Sequence, residues 1–168
     1  MTGKFLSVLI FFYFFTSCSP LYMVYVQNNT DEPVEIFVEL KDEKFTKKYR
    51  KELEKRHLFF YKKSDQIEQF SIDSLKILNK KISERKYQFT SDLEYSFVLE
   101  PDLITDIDPN NSISIYPFQK IYFVKDNEKC SVVPKNTNHN CNFKITSKQK
   151  LKKDKTPKMF VDYIEIQK

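Results

Sequence analysis

Pro33-Val34-Glu35-Ile36-Phe37-Val38-Glu39-Leu40, PVEIFVEL, places an apolar residue at every second position from Val34 to Leu40, with Glu35 and Glu39 between them. Successive side chains of a strand point to opposite faces, so this spacing describes a half-buried strand with one face toward a core. The period recurs outward along the chain. Leu93, Tyr95, Phe97 and Leu99 alternate with Glu94, Ser96 and Glu100. Shorter versions run through Ile113 and Ile115, Ile121 and Phe123, Phe143 and Ile145, and Phe160, Ile164 and Ile166. Several short alternating segments divided by turn signals predict an all-β sandwich or barrel.

The turns must be made without glycine. The chain has a single Gly, Gly3, so positive-φ positions fall to Asn and Asp, with Pro fixing φ beside them. Such residues stand at Asn28-Asn29, Asp31-Glu32-Pro33, Asp108-Pro109-Asn110-Asn111, Asp126-Asn127 and Pro134 to Asn140. The same lack excludes phosphate-cradling loops, dinucleotide fingerprints and nucleophile elbows, each of which needs glycine where backbone approaches a ligand or bends sharply.

Two regions are ambiguous in period. Phe45, Tyr49 and Leu53 are spaced by four, which fits one face of either a helix or a strand. The abundance of helix formers from Lys44 to Arg56 favours a short helix there. Ser71 to Ile82 fits a helix through Leu75, Leu78 and Ile82 or a strand using Leu75 and Ile77, and a turn at Asn79-Lys80-Lys81 favours the strand.

At the start of the chain, Phe5 to Phe15 (FLSVLIFFYFF) run eleven residues with Ser7 as the one clearly polar member. That suits the apolar core of a signal peptide and falls short of the ~20 residues needed to span a bilayer as a helix. Thr16 and Ser17 then lead into Cys18. Phe15-Thr16-Ser17-Cys18 resembles the lipobox of bacterial lipoproteins, with Phe15 where Leu is usual. The resemblance implies cleavage before Cys18, acylation of its thiol and new amino group, and attachment to a membrane of the bacterial cell envelope. Ser19, where Asp would act as a retention signal, points by the same resemblance to the outer membrane. The expected organisation is a signal peptide over 1–17, a lipidated N-terminus and tether over 18–24, and a single sandwich domain over 25–168.

The 151 residues left after residue 17 suffice for a real core. Forty per cent hydrophobic residues argue against disorder. The net charge of +5 becomes +4 once Lys4 is lost, and is compatible with an anionic partner. It is concentrated in Lys148 to Lys158 and in Lys41 to Lys63, ten basic residues against four acidic in the latter. Anionic headgroups, envelope polymers or the acidic segment of another copy are the partners these stretches suit, and outside the cytoplasm nucleic acid is not among them. Tyr25-Val26-Gln27-Asn28-Asn29-Thr30 followed by Pro33-Val34-Glu35-Ile36 resembles the strand-turn-strand openings of immunoglobulin-like envelope domains, as does Ile107-Asp108-Pro109 before Ser112 to Ile115. The resemblance implies an immunoglobulin-like antiparallel β-sandwich.

With Cys18 lipidated, Cys130 and Cys141 remain as a disulfide pair or as separate buried thiols. A regular hairpin around Pro134 to Asn140 would set Cys141 nearest Val133 and away from Cys130, so a bond requires an irregular connection. Cys130, His139 and Cys141 give three zinc ligands where structural zinc wants four, and the other histidine, His57, is distant in sequence. Asp106, Asp108 and Asn110 mimic the first ligands of a calcium loop, but Asn111 and Pro117 stand where Gly and a bidentate Glu are needed. They lie in the acidic run Asp92, Glu94, Glu100, Asp102, Asp106 and Asp108, which leaves an improvised cation site as the metal candidate. No cofactor is implied. The functional expectation is a structural or binding module on a lipid anchor, with a small carboxylate-dependent envelope hydrolase, or a subunit of an envelope complex, as alternatives.

Overall fold

The structure is a computed structural model, and it describes residues 21–42, 44–63, 81–107, 116–135, 140–150 and 159–168. Eleven strands and one helix follow in the order β1 (Leu21–Asn28), β2 (Val34–Leu40), α1 (Lys44–Leu53), β3 (His57–Lys62), β4 (Lys81–Lys86), β5 (Gln88–Phe89), β6 (Glu94–Leu99), β7 (Leu103–Asp106), β8 (Phe118–Lys125), β9 (Glu128–Val133), β10 (Phe143–Lys150) and β11 (Met159–Ile166). They form a six-stranded sheet, β10-β11-β1-β7-β3-β4, and a five-stranded sheet, β5-β6-β2-β8-β9. The protein is an all-β sandwich with one short helix.

The alternation of PVEIFVEL is the reason the sheets face each other where they do. Val34, Ile36, Val38 and Leu40 are all buried, and they meet Tyr95, Phe97 and Leu99 of β6 and Ile121 and Phe123 of β8 in the core. β2 lies between those two strands, paired antiparallel with both. From the six-stranded sheet, Val24, Val26, Leu58, Phe60, Ile164 and Ile166 close the same core. Each fully buried side chain of this size contributes about 1.5–3 kcal/mol relative to leaving it exposed. Helix α1 forms where Lys44 to Arg56 predicts one, and it buries Tyr49 and Leu53 against this core.

One pairing departs from an antiparallel sandwich. β1 and β11 run parallel over eight residue pairs, from Leu21 opposite Met159 to Asn28 opposite Ile166, while every other described pairing is antiparallel. This sets the first and last strands side by side in the middle of the larger sheet. β1 is buried on both faces. Val24 and Val26 face the main core, and Met23 and Tyr25 join Ile104, Val161 and Tyr163 in a smaller cluster on the other side of the sheet. A strand covered on both faces reads as a continuous apolar run, as LYMVYV does. The first described strand therefore starts at Leu21, and residues 21–24, expected as tether, are strand.

The turn chemistry follows the lack of glycine. Asp126 and Asn127 link β8 to β9 with φ of 50° and 63°, and Lys125 pairs with Glu128 across them, so both central residues of a two-residue hairpin are left-handed. Asp102 has φ of 61° after Pro101, and Leu103 N–H donates to Glu100 O over 3.3 Å. Proline followed by a positive-φ residue is a type II turn, here carrying the chain from β6 in one sheet to β7 in the other.

Several expectations need revision or fall outside the described residues. Ile113, Ile115 and most of Ser71 to Ile82 lie outside them. Lys81, expected in a turn, opens β4, and Ile82 is 54% exposed there. β4 (KISERK) shows no apolar period because it is an edge strand. Its charges are engaged locally, Lys81 with Glu84 and Arg85 with Glu100, which discourages pairing with another chain.

Candidate functional site

The acidic run is dispersed by the fold. Its described members lie on or beside β6 in one sheet and β7 in the other, and they meet different partners. Asp92 accepts from Arg50 (2.8 Å), Glu94 from Tyr122 Oη (3.0 Å) and Thr90 Oγ1 (2.7 Å), and Glu100 from Arg85 (3.5 Å). Asp102 is paired with Lys63, which holds its carboxyl below the usual range. Asp106 lies in β7 near Tyr25 and Tyr61. Burial chiefly, and then that carboxylate, push both phenols above the ordinary tyrosine value. Asp108 and Asn110 are outside the described residues, and among the described ones no group of three His, Cys, Asp or Glu side chains could hold a metal ion.

Cys130 and Cys141 are bonded to each other, with Cα atoms 5.3 Å apart. The hairpin geometry that argues against contact does not arise, because β9 and β10 belong to different sheets. β9 and β10 are outer strands of their sheets, and the bond ties the residues on either side of their connection together. Cys130 is fully buried in the main core, with Cys141 packed against that core. Neither sulfur is a free thiolate for zinc, and His139 lies outside the described residues. His57 opens β3, half-buried and opposite Lys86.

The feature that the fold assembles, and that no single motif announces, lies at one pole of the sandwich. β1 and β11 begin at this end and β10 stops there, since Leu21, Met159 and Lys150 are level in register. β2 ends there too. Tyr22 of β1 lies edge-on to Tyr116 at 6.0 Å, Lys41 after β2 reaches over the Tyr116 ring at 5.9 Å, and the Lys41 N–H donates to Pro117 O (2.9 Å). The Lys41 carbonyl in turn accepts from Thr46 Oγ1 (2.5 Å) in the first turn of α1. The helix is thus joined through Lys41 and Tyr116 to the start of β1.

α1 has a sharply divided surface. Thr46, Tyr49 and Leu53 are buried, whereas Lys44, Lys47, Lys48, Lys51 and Lys55 are exposed. Their spacing of three and four sets Lys44, Lys47, Lys48 and Lys51 on one face of the helix, with Lys55 following just past its end. Residues three and four apart are neighbours on a helix, and like charges so placed cost about 0.2–0.5 kcal/mol per pair. Lys44 also stands in the first turn, where the macrodipole favours anions, and that turn has no acidic residue. Helix stability by itself opposes this arrangement; the burial of Tyr49 and Leu53 holds it. Among the described residues no ion pair engages Lys44, Lys47, Lys48 or Lys51.

Arg50 is used differently. Its guanidinium donates to Glu54 Oε1 (2.9 Å), Asp92 Oδ1 (2.8 Å) and the Ser91 carbonyl (3.2 Å), and it stacks over Phe89 at 4.5 Å. It fastens the helix to the β5–β6 turn. Between the two runs an open cleft of about 470 Å³, lined by Thr46, Lys47, Arg50, Lys51, Glu54 and Asp92 among others. Charges of both signs line it, the carboxylates of Glu54 and Asp92 being held by Arg50. The lysine face was visible in sequence as a spacing opposite Tyr49 and Leu53; its position relative to β1 was not.

No protein-family model, curated protein or solved structure is similar to this chain.

Proposed function

We propose that the chain is a lipid-anchored protein of the bacterial cell envelope, held at Cys18 on the outer membrane, whose sandwich serves as a structural or binding module. The observation that carries this reading is the apolar run Phe5 to Phe15 stopping at Thr16-Ser17-Cys18, three residues before the first strand begins at Leu21. A single acyl chain binds a membrane marginally and two or more hold it stably, so a triacylated Cys18 anchors the domain. The Cys130–Cys141 bond supports a compartment outside the reducing cytoplasm. Growth with a radioactive fatty acid tests the anchor. Label is expected on the wild type and absent from Cys18→Ser, and a wild type without label refutes the reading.

A further inference from the structure

We infer that the pole carrying α1 is a docking surface for anionic lipid headgroups, so that the domain lies with its lysine face against the membrane that anchors it. This rests on the reading of Cys18 as the lipidated residue. A trans chain spans at most about 3.3–3.6 Å per residue, so the three steps from Cys18 to Leu21 reach no more than roughly 10 Å. The pole at which β1 begins therefore stays within about one Debye length of the bilayer surface at physiological ionic strength. The opposite pole, with the Asp31 turn and the Asp126-Asn127 hairpin, is a strand length further away.

Charge decides which side of that pole turns inward. Residues 41–56 hold eight basic and four acidic side chains, and the chain from residue 18 on holds 27 and 23. The helix and its flanks thus carry an excess of four positive charges, and Lys148 to Lys158, six lysines against Asp154, is the other basic stretch. Of those eight, Arg50 is engaged by Glu54, Asp92 and Ser91, while Lys44, Lys47, Lys48 and Lys51 project to solvent with no ion pair among the described residues. Lysine near an anionic surface is attracted with an energy that decays over a Debye length, which is the range the short tether enforces. The arrangement that costs the isolated helix stability is thus complementary to a headgroup layer. The anchor fixes the pole and the lysines fix the face.

The test uses the full chain in lipidated form, placed in vesicles of phosphatidylcholine alone or of phosphatidylcholine with phosphatidylglycerol. With Cys18 acylated and Cys130 bonded to Cys141, an added cysteine is the free thiol for a fluorescent probe, introduced either just past the helix end (Lys55→Cys), here called the helix probe, or on the far turn (Asp31→Cys). A headgroup-borne quencher should quench the helix probe several-fold more in the phosphatidylglycerol vesicles and leave the far probe unaffected. Raising salt toward ~1 M, where the Debye length falls to about 3 Å, should remove the difference. Replacing Lys44, Lys47, Lys48 and Lys51 together by Gln should lower the helix probe's preference for anionic vesicles by about tenfold or more. Equal quenching at both positions, or helix quenching indifferent to phosphatidylglycerol, in a protein shown by mass to carry its lipid overturns the docking surface alone. A protein found without lipid overturns the anchor and the orientation with it.

Discussion

Asn28 offers a direct test of how the two sheets are held together at the pole far from α1. Its side chain is completely buried at the end of β1. Nδ2 donates to the carbonyls of Glu32 and Leu99, both at 2.8 Å, and Oδ1 accepts from the Thr30 N–H (2.9 Å) and the Thr30 hydroxyl (2.7 Å). One amide thus closes the β1–β2 turn and bonds β6 of the other sheet. Asn28→Ala removes all four bonds. At about 1 kcal/mol net for each the loss is about 4 kcal/mol, and the part that water cannot restore is the buried Leu99 carbonyl, worth about 1–3 kcal/mol. We expect a destabilisation of about 3–4 kcal/mol, a large fraction of the roughly 5–15 kcal/mol typical of a domain. At this size it lowers Tm by about 10 °C. Because the chain has no Trp, urea unfolding is followed by tyrosine fluorescence and circular dichroism, and the midpoint should fall with unchanged slope. Asn28→Asp keeps the acceptor and loses the donor, opposing a carboxylate to two carbonyl oxygens. The folded state then raises that pKa, so the variant is more stable below the unfolded carboxyl pKa and loses this stability as pH rises through the folded value. A loss under about 1 kcal/mol for Asn28→Ala refutes the reasoning.

Breaking the Cys130–Cys141 bond by double substitution with Ala frees a loop of sequence separation 11 and should cost about 3 kcal/mol by loop entropy; urea midpoints under oxidising conditions measure it, and an unchanged midpoint contradicts it. Asn127→Gly relieves a left-handed residue in the β8–β9 hairpin at φ 63° and should raise stability by about 0.5–1 kcal/mol, whereas Asn127→Val should lower it; a thermal melt that ranks Val above Gly would discard the turn assignment. Burial holds the phenols of Tyr25, Tyr116 and Tyr163 above the ordinary value, Tyr163 pushed up to about 12, and burial with the bond to Glu94 pushes Tyr122 up to about 12. Neutral phenol is favoured in the folded state, so this stability is complete below the unfolded value of about 10 and is lost as pH rises through the folded ones. Phenolate absorbance should rise in two phases, the later one coinciding with unfolding, and a single step for all the tyrosines would count against it.

Side-chain order along the chain carried the architecture wherever a strand has one buried face. The alternation in β2, β6 and β8 and the Asp126-Asn127 hairpin were legible because each depends on residues adjacent in sequence. β1 was legible only in part: burial on both faces erases the period, which is why its first four residues read as tether. β3 shows no clear period in sequence, because Phe59 and Tyr61 are as apolar as the buried Leu58 and Phe60 on either side of them. β4 has no core face and so no pattern to read.

The sequence by itself determined an all-β fold of short alternating strands, the lysine spacing on α1 and the candidate pair of cysteines. All are properties of neighbours along the chain. Which sheet receives each strand is a matter of long-range pairing, and the tertiary structure alone decided it. By sending β9 and β10 to different sheets it allowed Cys130 and Cys141 to meet, and by dividing β6 from β7 it scattered the acidic run among separate basic partners. By packing α1 through Tyr49 and Leu53, and joining it through Lys41 and Tyr116 to Tyr22, it set the helix at the end of the sandwich where β1 begins.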